Sequence, residues 1–124
     1  MMSLNDTSYE IIGCAYKVHS KLGPGLLEST YDTCLEYELL RSGLRVQRQI
    51  ELPVVYDNLK LNAGYRIDLL VENEIILELK SVTEIAPIHT AQLLTNLKLS
   101  ELKLGLLLNF NAADMKKGIR RIVC

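Results

Sequence analysis

The chain lacks most of the features that would mark a specialised protein. Its three cysteines, Cys14, Cys34 and Cys124, are odd in number, far apart and without paired metal-type spacing, which argues against a disulfide framework and for reduced thiols. No apolar run approaches the ~20 residues of a membrane span. Met1-Met2-Ser3-Leu4-Asn5-Asp6 lacks the pattern of a secretory signal, so a soluble, cytoplasmic protein with no membrane partner is expected. Charge of one sign is missing too. The 14 Lys and Arg against 15 Asp and Glu leave a formal net charge of −1, which speaks against a strongly basic nucleic-acid binder, so any such contact must come from local patches. Repeats, low-complexity tracts and linkers are absent, and 124 residues predict one domain spanning 1–124 with no second module.

What is present is a clear change of hydrophobic period along the chain. Thr7-Ser8-Tyr9-Glu10 has capping-box spacing and precedes Ile11, Ile12, Ala15, Val18 and Leu22 at helical intervals, predicting a first helix to about Lys21. Gly23-Pro24-Gly25 breaks it. Leu27, Tyr31, Cys34, Leu35 and Leu39 then mark a second helix, with Gly43 as its terminator. From Val46 the period falls to two through Ile50, Leu52, Val54 and Tyr56, with Pro53 predicting an unpaired or bulged position, and Asp57-Asn58 supplies a turn into a second strand. Further on, Pro87 suits the first turn of a helix over 88–99, on which His89, Gln92 and Asn96 share a face. Residues 104–110 read as a strand buried on both faces, and the basic tail as an edge strand. The order is helix, helix, three antiparallel strands, helix, strand: an α/β fold with a mixed β-sheet flanked by helices.

The most informative stretch is the hairpin Tyr65–Val71, Glu72-Asn73-Glu74, Ile75–Ser81. Odd positions on both runs are apolar, whereas even positions carry Arg66, Asp68, Glu78 and Lys80 together with Leu70 and Ile76. A three-residue loop sets Leu70 against Ile76, Asp68 against Glu78 and Arg66 against Lys80. Directly opposed carboxylates, with Cβ atoms roughly 5 Å apart, destabilise each other and call for a proton or a cation; a hard divalent ion would satisfy them. The plainer reading is a half-buried hairpin with a mixed-charge solvent face. Against it, a solvated face usually pairs unlike charges, and Leu70 and Ile76 imply a cover. Spacing alone decides little, because Glu101-Leu102-Lys103 and Asp114-Met115-Lys116 repeat the Glu78-Leu79-Lys80 pattern; only the Glu78 copy ends an apolar strand opposite an aspartate.

With these residues the chain resembles the PD-(D/E)XK nuclease superfamily, and within it the small GxxExxY group, since Gly25-Leu26-Leu27-Glu28-Ser29-Thr30-Tyr31 fits that motif at every fixed position. Val18-His19, Leu22-Gly23-Pro24-Gly25, Asp68, Glu78-Leu79-Lys80 and Gln92 look like the same family. The resemblance implies a restriction-endonuclease-like core and a metal-dependent nuclease acting on nucleic acid, with DNA the expected substrate. In that reading Asp68, Glu78 and the backbone carbonyl of Leu79 hold Mg²⁺ or Mn²⁺, Lys80 orients the attacking water or offsets developing charge, Glu28 assists the metal, and Gln92 orients carboxylates or meets phosphate. Two positions depart from the pattern. Ile67 stands where the superfamily name has proline, and Asn96 where a tyrosine is expected, a departure that bears on DNA-backbone contact rather than on the metal centre.

Simple structural roles compete for several of these residues. A carboxylate at Glu28 is favoured at a helix start by the free N–H groups alone, Tyr31 suits packing as well as substrate contact, and His19 suits a helix-end cap better than a ligand. Arg45, Arg48, Arg66, Lys116, Lys117, Arg120 and Arg121 are the candidate phosphate contacts, and a homodimer would enlarge their footprint. The rival to a nuclease is a non-catalytic nucleic-acid-binding or scaffold protein that retains the fold. A hydrolase of another phosphodiester, such as a signalling nucleotide, is a third reading.

Overall fold

The computed structural model describes residues 2–124. Helix α1 (Leu4–Leu22) begins earlier than the Thr7–Glu10 spacing suggests, because the capping box belongs to Ser3 and Asp6. Ser3 Oγ accepts from the Asp6 N–H at 3.1 Å and the Asp6 carboxylate accepts from the Ser3 N–H at 3.2 Å. Thr7 and Ser8 lie buried inside the helix, their hydroxyls donating back to the carbonyls of Ser3 and Asn5. Helix α2 (Glu28–Arg41) follows a corner in which Gly23 and Gly25 adopt φ of 68° and 98°, conformations that favour glycine. Tyr31 clamps that corner. Its hydroxyl donates to Gly23 O at 2.6 Å and accepts from the Leu26 N–H at 3.1 Å, while its ring stacks on Phe110 with centroids 4.7 Å apart.

Five strands follow the order β1 (Val46–Tyr56), β2 (Leu59–Val71), β3 (Ile75–Lys80), β4 (Leu104–Asn109) and β5 (Ile119–Val123), and are neighbours in that same order. The first three form an antiparallel meander. Helix α3 (Pro87–Ser100) makes the crossover that lets β4 run parallel to β3, and a short 3₁₀ turn (Met115–Gly118) returns the chain antiparallel as β5. The expected irregularity at Pro53 is a register shift between Leu52 and Val54, and β4 is buried along its whole length. Among the described residues no helix is long and apolar enough to cross a membrane.

The sheet is covered on both faces. Helices α1 and α2 pack Ile11, Val18, Tyr31 and Leu35 on Leu69, Val71, Leu77, Leu106 and Leu108, and α3 packs Leu93 and Leu97 on Leu70, Ile76 and Leu107. The cover implied by Leu70 and Ile76 is therefore α3. Its close approach depends on Gly105, where an added Cβ would stand 2.7 Å from Leu93 Cδ1. One residue breaks the alternation: Ile67 joins the α3 side instead of the odd-numbered row. On the facing strand Gln49 sits at φ 52°, between the pairs Arg48↔Leu69 and Ile50↔Ile67. That left-handed residue interrupts the period of two, so Arg48 reaches α2 through Asp32 while Ile50 packs under α3.

Candidate active site

The β2–β3 ladder sets the site by ending early. Val71↔Ile75, Leu70↔Ile76 and Leu69↔Leu77 pair in the register expected from the three-residue loop, and then pairing stops. Asp68 and Glu78, and Arg66 and Lys80, are accordingly not ladder partners. The strands part, and Asp68 Oδ2 takes the place of a strand carbonyl by accepting from the Leu79 N–H at 3.0 Å. A strand residue directs its N–H and C=O to the same edge. The Leu79 carbonyl therefore also faces the gap toward β2, whereas the Lys80 carbonyl accepts from the Phe110 N–H at 2.9 Å on the β4 side. The gap is a cleft of about 430 Å³ lined by Tyr65, Arg66, Asp68, Glu78, Gln92 and Asn96, with Gly64 at its end.

Electrostatics at the floor of this cleft are unbalanced. Glu78 is 7% exposed. Burial, and then the negative charge of Asp68, push its carboxyl up to about 7, while Lys80 and a hydrogen bond from Asn96 pull the other way. Lys80 Nζ lies 4.0 Å from Glu78 Oε2, and Asn96 Nδ2 donates to Oε1 at 3.1 Å. A carboxyl that keeps its proton near neutrality beside a second carboxylate marks a place short of positive charge. The available donors are two carboxylates and a carbonyl, all hard oxygens. That set suits Mg²⁺, which commonly takes one or two carboxylates and fills its remaining positions with water and substrate phosphate. Among the described residues no three His, Cys, Asp or Glu side chains cluster as a metal site.

The other sequence candidates fall in different places. Gln92 is exposed on the α3 wall of the cleft. Glu28 is the first residue of α2, exposed and outside the cleft lining, although Ser81 Oγ ties that corner to the end of β3 by donating to Leu26 O at 2.6 Å. Tyr31 is fully buried packing. His19 is not a cap: its Nε2 lies 2.7 Å from Ala112 O, joining α1 to the loop after β4. The basic residues do not converge, since Arg45 and Arg48 lie at the start of one edge strand, and Lys116, Lys117, Arg120 and Arg121 in or beside the opposite one. Arg48 is held by Asp32 at 2.6 Å and Glu36 at 2.9 Å, Arg45 by Glu72 at 3.3 Å, and Arg121 by Asn5 at 2.9 Å.

One polar residue of this region escaped the sequence reading, and another was given the wrong contact. Asp32, one turn beyond Glu28, is buried against Arg48, and burial raises its carboxyl, with the charge of Asp68 adding to the shift. Its i, i+4 spacing from Glu28 was the available signal. Asn96 is 4% exposed and touches Glu78 itself, so its departure from tyrosine bears on the carboxylates rather than on DNA-backbone contact alone. A model of the PD-(D/E)XK nuclease superfamily matches residues 5–122.

The chain belongs to the PD-(D/E)XK nuclease superfamily. No curated protein and no solved structure matches it in the same comparisons. The mixed sheet between helices is the restriction-endonuclease-like arrangement of that superfamily, whose members generally depend on divalent metal and whose substrate is nucleic acid.

Proposed function

We propose that the protein is a nuclease hydrolysing DNA phosphodiester bonds, with Mg²⁺ or Mn²⁺ held by Asp68, Glu78 and the Leu79 carbonyl. Glu78-Leu79-Lys80 serves as the (D/E)XK element and Asp68 as the acid before it, Ile67 standing in the proline position. The observation that carries this reading is the convergence of Asp68 and Glu78 at the point where β2 and β3 separate, leaving a buried negative site with the Leu79 carbonyl directed into the gap. A bound divalent ion supplies Lewis acidity toward phosphate and lowers the pKa of a water.

The chain's own groups do the rest. Lys80, partly buried beside Glu78 Oε2, orients the attacking water and offsets charge that builds on the phosphate. Gln92 offers a neutral amide to a phosphate oxygen from the α3 wall. Arg66, which makes no ion pair among the described residues, stands at the cleft to receive the backbone. Glu28 acts from the start of α2, brought toward the end of β3 by the Ser81 tether. The fit of Gly25–Tyr31 supports placing the chain in the GxxExxY group, and a homodimer would supply the basic area that a single copy spreads over two edges.

Purified protein is to be incubated with single- and double-stranded DNA and RNA in Mg²⁺, Mn²⁺ or EDTA. DNA cleavage requiring the metal, and falling roughly 10³-fold in Asp68→Ala, is the expected result. Undiminished activity in that variant would overturn the assignment. Binding without turnover, with equal calorimetric metal response in wild type and Glu78→Gln, would identify a non-catalytic scaffold instead.

A further inference from the structure

Asn96 is held between the two strands whose separation makes the cleft. One Nδ2 hydrogen reaches Glu78 Oε1 on β3 at 3.1 Å, and the other reaches the Arg66 carbonyl on β2 at 3.2 Å. The Arg66 carbonyl can only accept, so the nitrogen and not the oxygen of the amide faces these partners. The residue is 4% exposed, in the turn of α3 that also places Leu93 and Leu97 on the sheet. It therefore supplies, from a third element, the cross-strand hydrogen bonding that β2 and β3 stop making after Leu69↔Leu77.

We propose that Asn96 is the positioning residue of the metal site: it fixes Glu78 through Oε1, leaves Oε2 as the liganding atom, and sets the width of the gap between Asp68 and Glu78. A neutral donor is suited to this. It satisfies one carboxylate oxygen without cancelling the charge that a cation needs, whereas a second lysine in its place would compete with the cation. Its distance from solvent separates it from Gln92, one turn earlier and exposed, which remains accessible to substrate. The inference rests on the nuclease reading above for its metal and on the two hydrogen bonds for its residue.

The test measures Mn²⁺ binding by calorimetry in wild type, Asn96→Leu, which keeps the branched side-chain skeleton and removes both donors, and Asn96→Ser, which keeps a smaller donor. With folding checked by circular dichroism, Asn96→Leu is expected to bind Mn²⁺ roughly 10–100-fold more weakly, the range found when partners of metal ligands are removed. Asn96→Ser is expected to fall between the two. In cleavage assays at saturating Mn²⁺, KM for DNA should stay near wild type. Asparagine side-chain amide signals of the wild type give a measurement free of folding effects, and the Asn96 pair should shift on Mg²⁺ addition. Unchanged Mn²⁺ affinity in Asn96→Leu, or a raised KM with affinity intact, overturns the proposal and makes Asn96 a substrate contact or simple packing. Wild-type protein that binds no Mn²⁺ overturns the nuclease reading together with it.

Discussion

The two faces of the sheet are built on different principles. Under α1 and α2 the strands meet a broad, continuous apolar core that includes the stacked Tyr31 and Phe110. Under α3 the core is smaller, and it gives way at one end to buried polar groups: Glu78, Asn96 and the cleft floor. A protein only marginally stable overall can keep an unfavourable carboxylate pair only if other contacts over-determine the backbone around it. β3 shows the division within six residues, since Ile75, Leu77 and Leu79 enter the larger core while Ile76 and Glu78 face α3. One side fixes the strand; the other uses it.

Substitutions on opposite faces should separate stability from chemistry. The largest effect belongs to Glu78→Gln, expected to lower metal-dependent cleavage roughly 10³-fold, or about 4 kcal/mol of barrier. The same change removes the repulsion with Asp68 and should stabilise the metal-free protein at pH 8 by about 1–3 kcal/mol. Urea denaturation in EDTA measures this, and a destabilised variant would contradict the electrostatic reading of the cleft. Leu35→Ala should do the reverse, costing about 3–4 kcal/mol from the larger core while leaving the Mn²⁺ affinity of folded protein unchanged.

The pH dependence of stability sharpens the contrast further. The Glu78 carboxyl titrates near 7 in the folded chain against an ordinary value of 4.5, so between those values the folded state holds the extra proton. Its contribution therefore makes metal-free stability fall as pH rises from about 4.5 to about 7 and stay level above, by roughly 3 kcal/mol in all. Asp32, also raised, adds a slope of the same sign, so the difference between wild type and Glu78→Gln isolates the effect. A Mn²⁺ ion held by Glu78 would require the ionised carboxylate and should flatten the slope, with affinity rising through pH 7. A metal-free profile identical in wild type and variant would remove Glu78 as its source.

Much of this division could be read from the residues, and the failures have local causes. The hairpin register beside the loop followed from its length and from alternation, though not its extension to Asp68 against Glu78 or Arg66 against Lys80, and the presence of a cover followed from Leu70 and Ile76, because burial on both faces leaves a visible apolar excess. Ile67 could not be placed by alternation, since the period of two breaks between it and Leu69, opposite a left-handed Gln49 on the neighbouring strand. The end of the β2–β3 ladder is equally silent in sequence: the Asp68 side chain substitutes for a backbone acceptor. Asn96 was visible as a polar position facing the sheet. Its partners lie 18 and 30 residues away, and no local pattern encodes them.

The smallest predicted effect lies at the corner before α2, which Ser81 ties to the end of β3. Tyr31→Phe keeps the stack on Phe110 and removes only the hydroxyl that holds Gly23 O and the Leu26 N–H, so a loss of about 1 kcal/mol is expected from thermal unfolding. The position of Leu26 is also the anchor for Ser81 at the end of β3, and Glu28 follows two residues later. If Glu28 contributes to the metal site, a loosened corner should weaken Mn²⁺ binding in Tyr31→Phe by a few-fold and by a similar amount in Ser81→Ala. Equal affinities in both variants and wild type would confine Tyr31 and Ser81 to the stability side of the molecule, and would leave the cleft to Asp68, Glu78 and Leu79 without help from α2.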